Sequence, residues 1–376
     1  MVSPRRPPVQ AEALRFRLAV LLEEGAALRQ MAVSMRIVIA GLDEQIMAVS
    51  QRIAAQAAAG RVAPGAVVEL AEYVRFREQA TQALMRYTGG VSRQIETLQL
   101  NRIEQALEHT RALTESALPR GLTFEVLART GITWATLEPS AFEYLAGRMR
   151  DGGSLRAYLE DRIVSGTIED VERELTRGLL RNPNETARVL RRTFAGGLSQ
   201  AVRVARTETL RVYRDVQRES YSRNSRVVKG YRRVASLDDR TCVACWLMDG
   251  VLYESAGDME EHVQGRCFTV PETVSWKDLG LEGVPEVEPE ESGRSRFERL
   301  PDAEQRRIIG NGRQFEAWKS GEIPTSALLA RHSHPTFGSQ IVQATAGQSL
   351  SGRGLARLPG PAERIASGAA LLHPPR

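Results

Sequence analysis

The sequence predicts a mainly α protein with a small β element, an α+β arrangement. It comprises a long N-terminal helical hairpin, a central helical region, a braced β-hairpin element and a helical C-terminal module. Three observations lead there. Apolar residues recur at three-four spacing through most of the first hundred positions. The Arg, Leu, Ala and Glu content favours helix, while aromatics make up only 6%. The period then changes near Val227, where the only three cysteines cluster between 242 and 267.

At 376 residues the chain is long enough for two or three domains. The expected segments are 1–115, the hairpin; 116–280, the central region with the β element; 281–295, an acidic linker; 296–345, a small helical module; and 346–376, a flexible tail. Hydrophobic residues at 42% and charged residues at 26% give a globular profile. The formal charge of +5 is a mild basic excess, compatible with a polyanionic partner without requiring one. Neither a signal-peptide run nor an apolar stretch of membrane-spanning length occurs, so synthesis in a cytosol is the expectation and no membrane partner is indicated.

In the hairpin, Leu14, Leu18, Leu21, Gly25, Leu28, Ala32, Met35, Ile39, Leu42, Ile46, Val49 and Ile53 form a coiled-coil-like seam. It ends at Gly60, Pro64 and Gly65. A second helix follows with Val67, Leu70, Val74, Leu84, Val91, Ile95 and Leu98 as its apolar face. The pair reads either as an antiparallel αα-hairpin or as two helices lining a globular core. Pro119 and Gly121 mark the next boundary, and Thr167 with Asp170 has the form of a helix N-terminal cap. Gly196 and Gly197 interrupt the helical pattern before a helix that buries Val202, Ala205, Thr209, Val212 and Val216.

Between Arg203 and Arg233 there are ten Lys or Arg residues and three acidic ones. Arg203, Arg211, Arg214 and Arg218 are candidate nucleic-acid contacts; the alternative is a solvated helix face. Beyond Val227 the residues alternate like a strand. WLMDGVLY places Asp249 and Gly250 between two apolar runs, which predicts a two-residue hairpin turn. The segment 281–292 carries five glutamates and two prolines and reads as linker. Phe297, Leu300, Ile308, Ile309, Phe315, Trp318 and Leu328 are the core candidates of the C-terminal module.

Cys242, Cys245, His262 and Cys267 follow the order C-x2-C-x16-H-x4-C. Four soft or borderline donors from two short stretches suit tetrahedral Zn²⁺, and four donors leave no open position for substrate, so the expected role of zinc is structural. The competing readings are small buried cysteines and a redox C-x2-C pair. The redox pair lacks a following helix start to lower a thiolate pKa, because WLMDGVLY reads as strand. A deaminase signature is absent, since the histidine follows the cysteines. For a nuclease, His262 is the only histidine nearby; His109, His332, His334 and His373 are scattered. Neither a Walker-type loop nor a G-x-S-x-G elbow occurs.

Taken in order, ARTET (205–209), SLDDRTCVACWLMDG (236–250) and EHVQGRC (261–267) resemble the phage Mu F-like minor head protein family, also called phage head morphogenesis proteins. The likeness spans about 170–275. It carries Arg206, Glu208, Asp239, Arg240, Asp249 and Gly250 as motif residues beside the four metal candidates. This chain departs from the pattern at Gly265, where a cysteine is usual. The resemblance implies a bacteriophage minor capsid protein, a non-enzymatic virion component inside the capsid near the portal, assembled in the host cytoplasm and acting in head assembly and DNA packaging or delivery. Its implied partners are the portal protein, the major capsid or scaffolding protein and packaged double-stranded DNA. Within it, Arg206 is expected to bridge to Asp238 or Asp239. The alternatives are a metal-dependent nuclease and a basic zinc-containing DNA-binding protein.

Overall fold

A computed structural model of the chain describes residues 8–60, 67, 69–119, 121–177, 182–284 and 291–358. It is 64% helix and 9% strand, so the fold is mainly α with a small β element. The chain divides into two compact units, each built from separated stretches: one from 20–101 and 143–209, the other from 1–19, 102–142 and 210–376. Helices α1 (Pro8–Gly41), α3 (Ala71–Ala117) and α7 (Pro183–Arg223) contribute residues to both.

The first unit is helical. It contains parts of α1, α3 and α7, all of α2 (Asp43–Ala58), and α5 (Leu155–Leu159), which runs through a π turn at Glu160–Ser165 into α6 (Gly166–Arg177). Asn101 Nδ2 donates to Glu23 Oε1 at 2.9 Å, Gln94 Nε2 to Gln30 Oε1 at 3.1 Å, and Arg52 pairs with Glu72 at 3.2 Å. One residue number rises as its partner falls by the same step, which is the register of an antiparallel helical hairpin.

The buried stripe corrects the expected seam. At its start it falls on Ala13, Arg17, Val20 and Glu24, one position earlier than Leu14, Leu18, Leu21 and Gly25, and Leu18 is 58% exposed. It rejoins the expected positions at Met35, Leu42, Ile46, Val49 and Ile53. Glu24 pairs with Arg206, an interaction that apolar periodicity cannot register, and such pairs rotate the helix away from its leucines.

Two further readings are corrected here. Gly196 and Gly197 do not interrupt a helix; α7 runs through them. A Cβ on Gly197 would lie 3.1 Å from Ile163 Cγ2 and 3.2 Å from Met35 Cε, so its bareness serves close helix packing. Thr167 caps nothing, because it lies inside α6, which follows the π turn directly.

The second unit holds a three-stranded antiparallel sheet in the order β2 (Leu252–Glu254), β1 (Val228–Val234), β3 (Phe268–Thr273). Central β1 is buried apart from exposed Lys229 and half-buried Arg232. A Cβ on Gly230 would meet the Tyr253 carbonyl oxygen at 2.3 Å, so only glycine admits β2 at this register. Tyr231 stacks on Tyr253 at 5.4 Å, and its hydroxyl donates to the Gly257 carbonyl. The short helix α4 (Phe124–Ala128), capped by Thr123, adds Phe124 and Leu127 to the core beneath the sheet.

The C-terminal region of this unit contains α9 (Gly293–Glu298), α10 (Asp302–Ile309), α11 (Gly312–Lys319), a two-stranded hairpin of β4 (Leu329–His334) and β5 (Gly338–Gln343), and α12 (Ala346–Leu350). The hairpin corrects the expectation of a purely helical module. Of the acidic linker, 285–290 lies outside the described residues. Of the expected tail, 359–376 lies outside them too, whereas 346–358 is packed. Thr345 and Gln348 form a capping box on α12, Ser349 donates to the Ala327 carbonyl, and Leu355 N–H donates to the Leu329 carbonyl.

Candidate metal centre

The segment WLMDGVLY departs most from expectation. Val243–Met248 is a helix, α8, and Asp249–Gly250 turns the chain from that helix into β2, where a strand-to-strand hairpin was the expectation; the helix start whose absence counted against a redox C-x2-C pair is therefore present. All six residues of α8 are buried, and a short apolar run buried on every side carries no period that separates helix from strand. The turn itself is real: Asp249 is extended, Gly250 has φ +81°, and Val251 N–H reaches the Met248 carbonyl at 3.3 Å. Asp249 has a second task. Its carboxylate accepts from the Ala235 N–H at 2.7 Å and the Gly293 N–H at 2.9 Å, tying β1 to α9, and burial pushes its pKa up.

Cys242 sits at the N-cap of α8, delivered there by a turn in which Thr241 Oγ1 and the Arg240 N–H both donate to Asp238. Cys245 lies one turn on. His262 comes from the loop after β2, and Cys267 immediately precedes β3. His262 Nε2 is 3.5 Å from Cys242 Sγ and 3.2 Å from Cys245 Sγ, and Cys267 Sγ is 3.4 Å from Cys245 Sγ. Those three separations match the edges of roughly 3.5 Å in a tetrahedron with ordinary Zn–S and Zn–N bonds; Cys242, Cys245 and His262 form one close triplet, and Cys267 adjoins it through Cys245. His262 Nδ1 lies 2.9 Å from the Val263 carbonyl, which makes Nε2 the nitrogen available to an ion. The four residues can hold a metal ion.

The surroundings are charged and buried. The Arg233 guanidinium is fully enclosed, with Nη2 at 2.8 Å from Glu261 Oε2 and 3.4 Å from the sulfurs of both Cys245 and Cys267. Glu261 forms a second triplet with Cys245 and Cys267. Arg233 Nη2 stands against all three of its atoms, so this triplet already has a cation of its own. Arg214 Nη1 donates to the Cys267 carbonyl at 3.3 Å. A divalent ion on three thiolates and a neutral imidazole carries one net negative charge and Glu261 a second, which the guanidiniums of Arg233 and Arg214 together offset.

The proton affinities follow this field. For His262, burial works against the charge, but the Cys245 hydrogen bond and the Glu261 charge prevail and raise it to about 10. The hydrogen bond with Cys245 lowers the Cys242 thiol against its burial, while Cys267 is pushed up by its own contact with Cys245 and by enclosure. Burial would raise Glu261, yet Arg233, His262 and Arg214 together hold it below the ordinary carboxylate range. A pocket of about 70 Å³ bordered by Arg240, Thr241, Gln264 and Arg266 adjoins the cluster.

The other expected site residues lie elsewhere. Arg206 pairs with Glu24 at 2.6 Å, not with Asp238 or Asp239; Asp238 faces Arg266 and Thr241, and Asp239 pairs with Arg307 at 3.1 Å. Glu208 is buried, and Arg240 is an exposed residue of the turn. Three of the four candidate nucleic-acid contacts on α7 meet partners inside the fold. Arg211 and Arg218 both pair with Asp215, Arg218 also with Asp258, and Arg214 serves Cys267; Arg203, like Arg214 and Arg218, is half-buried. Arg233 and Glu261 escaped the sequence reading, one inside a basic run and the other inside GDMEEH. Each stands in a doubled charge, Arg232–Arg233 and Glu260–Glu261, among other polar residues that hide it. Compared with protein-family models, curated proteins and solved structures, the chain shows no match.

Proposed function

We propose that this chain is a structural, non-enzymatic protein whose sheet is braced by one Zn²⁺ on Cys242, Cys245, His262 and Cys267, and that it serves as a minor capsid protein of a tailed bacteriophage, close to the portal, in head assembly and DNA packaging or delivery. The observation that carries the first half is the gathering of Cys242, Cys245 and His262 into one triplet, with Cys267 against Cys245, from the start of α8, the loop after β2 and the residue before β3. Four protein donors complete a tetrahedral shell, so the ion acts as a cross-link between elements that are individually short. Thiolates and imidazole favour zinc over hard cations. The second half rests on the ordered likeness of ARTET, DDRTCVAC and HVQGRC to Mu F-like head proteins. The basic helix lends no support to a DNA-binding alternative, since Arg211, Arg214 and Arg218 are engaged within the fold. His262 Nε2 faces two sulfurs, which supports a ligand role for it over that of a nuclease base.

Elemental analysis of the purified chain beside Cys242→Ser and Cys267→Ser tests the zinc brace. About one zinc per chain, lost in both variants, supports it, and a folded wild type without metal overturns it. Mass spectrometry of purified phage heads tests the capsid role, which fails if the chain is absent from them.

A further inference from the structure

The two elements that carry three of the four metal candidates are both held by the C-terminal region, 291–358, and by different interactions. Helix α8, with Cys242 and Cys245, turns Val243, Trp246, Leu247 and Met248 into a core shared with Phe297, Ile309, Phe315, Leu328, Leu329 and Ile341. The loop with His262 is fastened through its neighbour Glu260. That carboxylate is 1% exposed and takes a bidentate pair from Arg331 on β4, at 2.9 and 3.1 Å, and a hydroxyl hydrogen bond from Ser339 on β5. The Glu260 carbonyl accepts from the Ile341 N–H at 2.9 Å, and the Val263 N–H donates to Gln340 Oε1 at 3.1 Å.

The loop needs this grip. Glu260 and Gln264, on either side of His262, have φ of +47° and +62°, a left-handed conformation that costs a non-glycine residue about 1–2 kcal/mol. Such a backbone persists only where the surroundings determine it, and for Glu260 those surroundings are β4 and β5. Asp249 adds a third tie, between β1 and the start of α9.

We infer that the β4–β5 hairpin, through Arg331 and Ser339 acting on Glu260, is the positioning device for His262, and that metal binding and docking of the C-terminal region are thermodynamically linked. The inference rests on the metal reading above. Because linkage is reciprocal, a hairpin that holds His262 in place raises metal affinity, and a bound metal holds the hairpin in place by the same factor. Arg331, Ser339 and Glu260 are positioning residues, since none of them supplies a donor to the ion.

The test is a competitive Zn²⁺ titration of the full chain against a chromophoric chelator, with Arg331→Ala, Ser339→Ala and, as control, Lys319→Ala. Lys319 pairs with Asp302 inside the C-terminal region and does not touch the loop. The expected result is zinc binding weakened by about tenfold in Arg331→Ala and by less in Ser339→Ala, with Lys319→Ala unchanged, as for the loss of an outer-shell partner. In parallel, chelation of the wild type raises amide exchange in 329–343. Wild-type affinity in both Arg331→Ala and Ser339→Ala overturns the inference and leaves the metal reading intact. A wild type that binds no zinc overturns both. Ser339→Ala removes only one hydroxyl, so its result decides the matter should Arg331→Ala fail to fold.

Discussion

Arg233 Nη2 stands 2.8 Å from Glu261 Oε2, and neither side chain reaches solvent. The same nitrogen lies 3.4 Å from two of the sulfurs, so one guanidinium answers both a carboxylate and the thiol cluster. Enclosing two charges costs several kcal/mol each, which only close pairing recovers. Arg233→Met strands Glu261 as an unpaired buried carboxylate, and the expected loss is about 3–5 kcal/mol of folding stability. Arg233→Met combined with Glu261→Gln regains part of it. Denaturant unfolding of the wild type, both single variants and the double variant checks this; additive losses would show that the pair is not coupled.

Gly265 leaves the room that the Glu261 carboxylate fills. A Cβ there would lie 1.7 Å from Oε1, and the carboxylate cannot swing away without leaving Arg233. Gly265→Ala is therefore expected to destabilise by about 1–3 kcal/mol, as overpacking of a tight interior does. Gly347→Ala is the matched contrast. Nothing lies within 4 Å of its added methyl inside α12, so it is expected to be neutral or to stabilise by up to about 1 kcal/mol. Thermal melts of the two variants should move in opposite directions or differ clearly in size.

Much of this was legible in the sequence, and the gaps have physical causes. The hairpin and the strand at Val228–Val234 follow from periodicity, and the four donors follow from their spacing, because both are local properties. Helix α8 was not legible, since VACWLM is apolar on every side and burial there comes from a C-terminal region fifty residues away. The stripe of α1 was misplaced because Glu24 is buried through an ion pair with Arg206, a partner distant in sequence. Arg214 and Arg218 read as a basic surface for the same reason, their distant partners being Cys267 and Asp258, whereas Asp215, which Arg211 and Arg218 also meet, lies one turn away on the same helix. Charge is visible in a sequence, but the partner that draws it inward is not.

His109 should give the protein an acid-sensitive step. It stacks on Phe16 at 3.8 Å with Nδ1 2.9 Å from the Tyr213 hydroxyl. Burial first, and then Arg102 and Arg15, lower its pKa to about 4 from an ordinary value of 6.5. The unfolded chain therefore binds a proton that the folded one refuses between those values. Its contribution is complete above pH 6.5 and is lost as the pH falls towards 4, by at most about 3 kcal/mol. His109→Gln keeps a polar group near Tyr213 but cannot titrate. Its stability should be flatter between pH 6.5 and 4 than that of the wild type, as measured by denaturant unfolding at half-unit steps. Parallel curves would assign the acid sensitivity to other groups.

Arg206 decides what the ARTET helix does. Its guanidinium meets Glu24 at 2.6 Å, and Glu24 is only 2% exposed while Arg206 keeps about a quarter of its side chain in solvent. A half-wet partner screens the pair, so the coupling should fall below that of a fully enclosed pair, at about 1–3 kcal/mol. A double-mutant cycle of Arg206→Met and Glu24→Gln is expected to show it. The same cycle with Asp238→Asn should show none, because Asp238 is occupied by Arg266, Thr241 and the Arg240 N–H. Coupling to Asp238 and not to Glu24 would return Arg206 to the β element. The expected pattern instead makes the ARTET arginine a lock between α7 and α1, with no part in the chemistry at the cysteines.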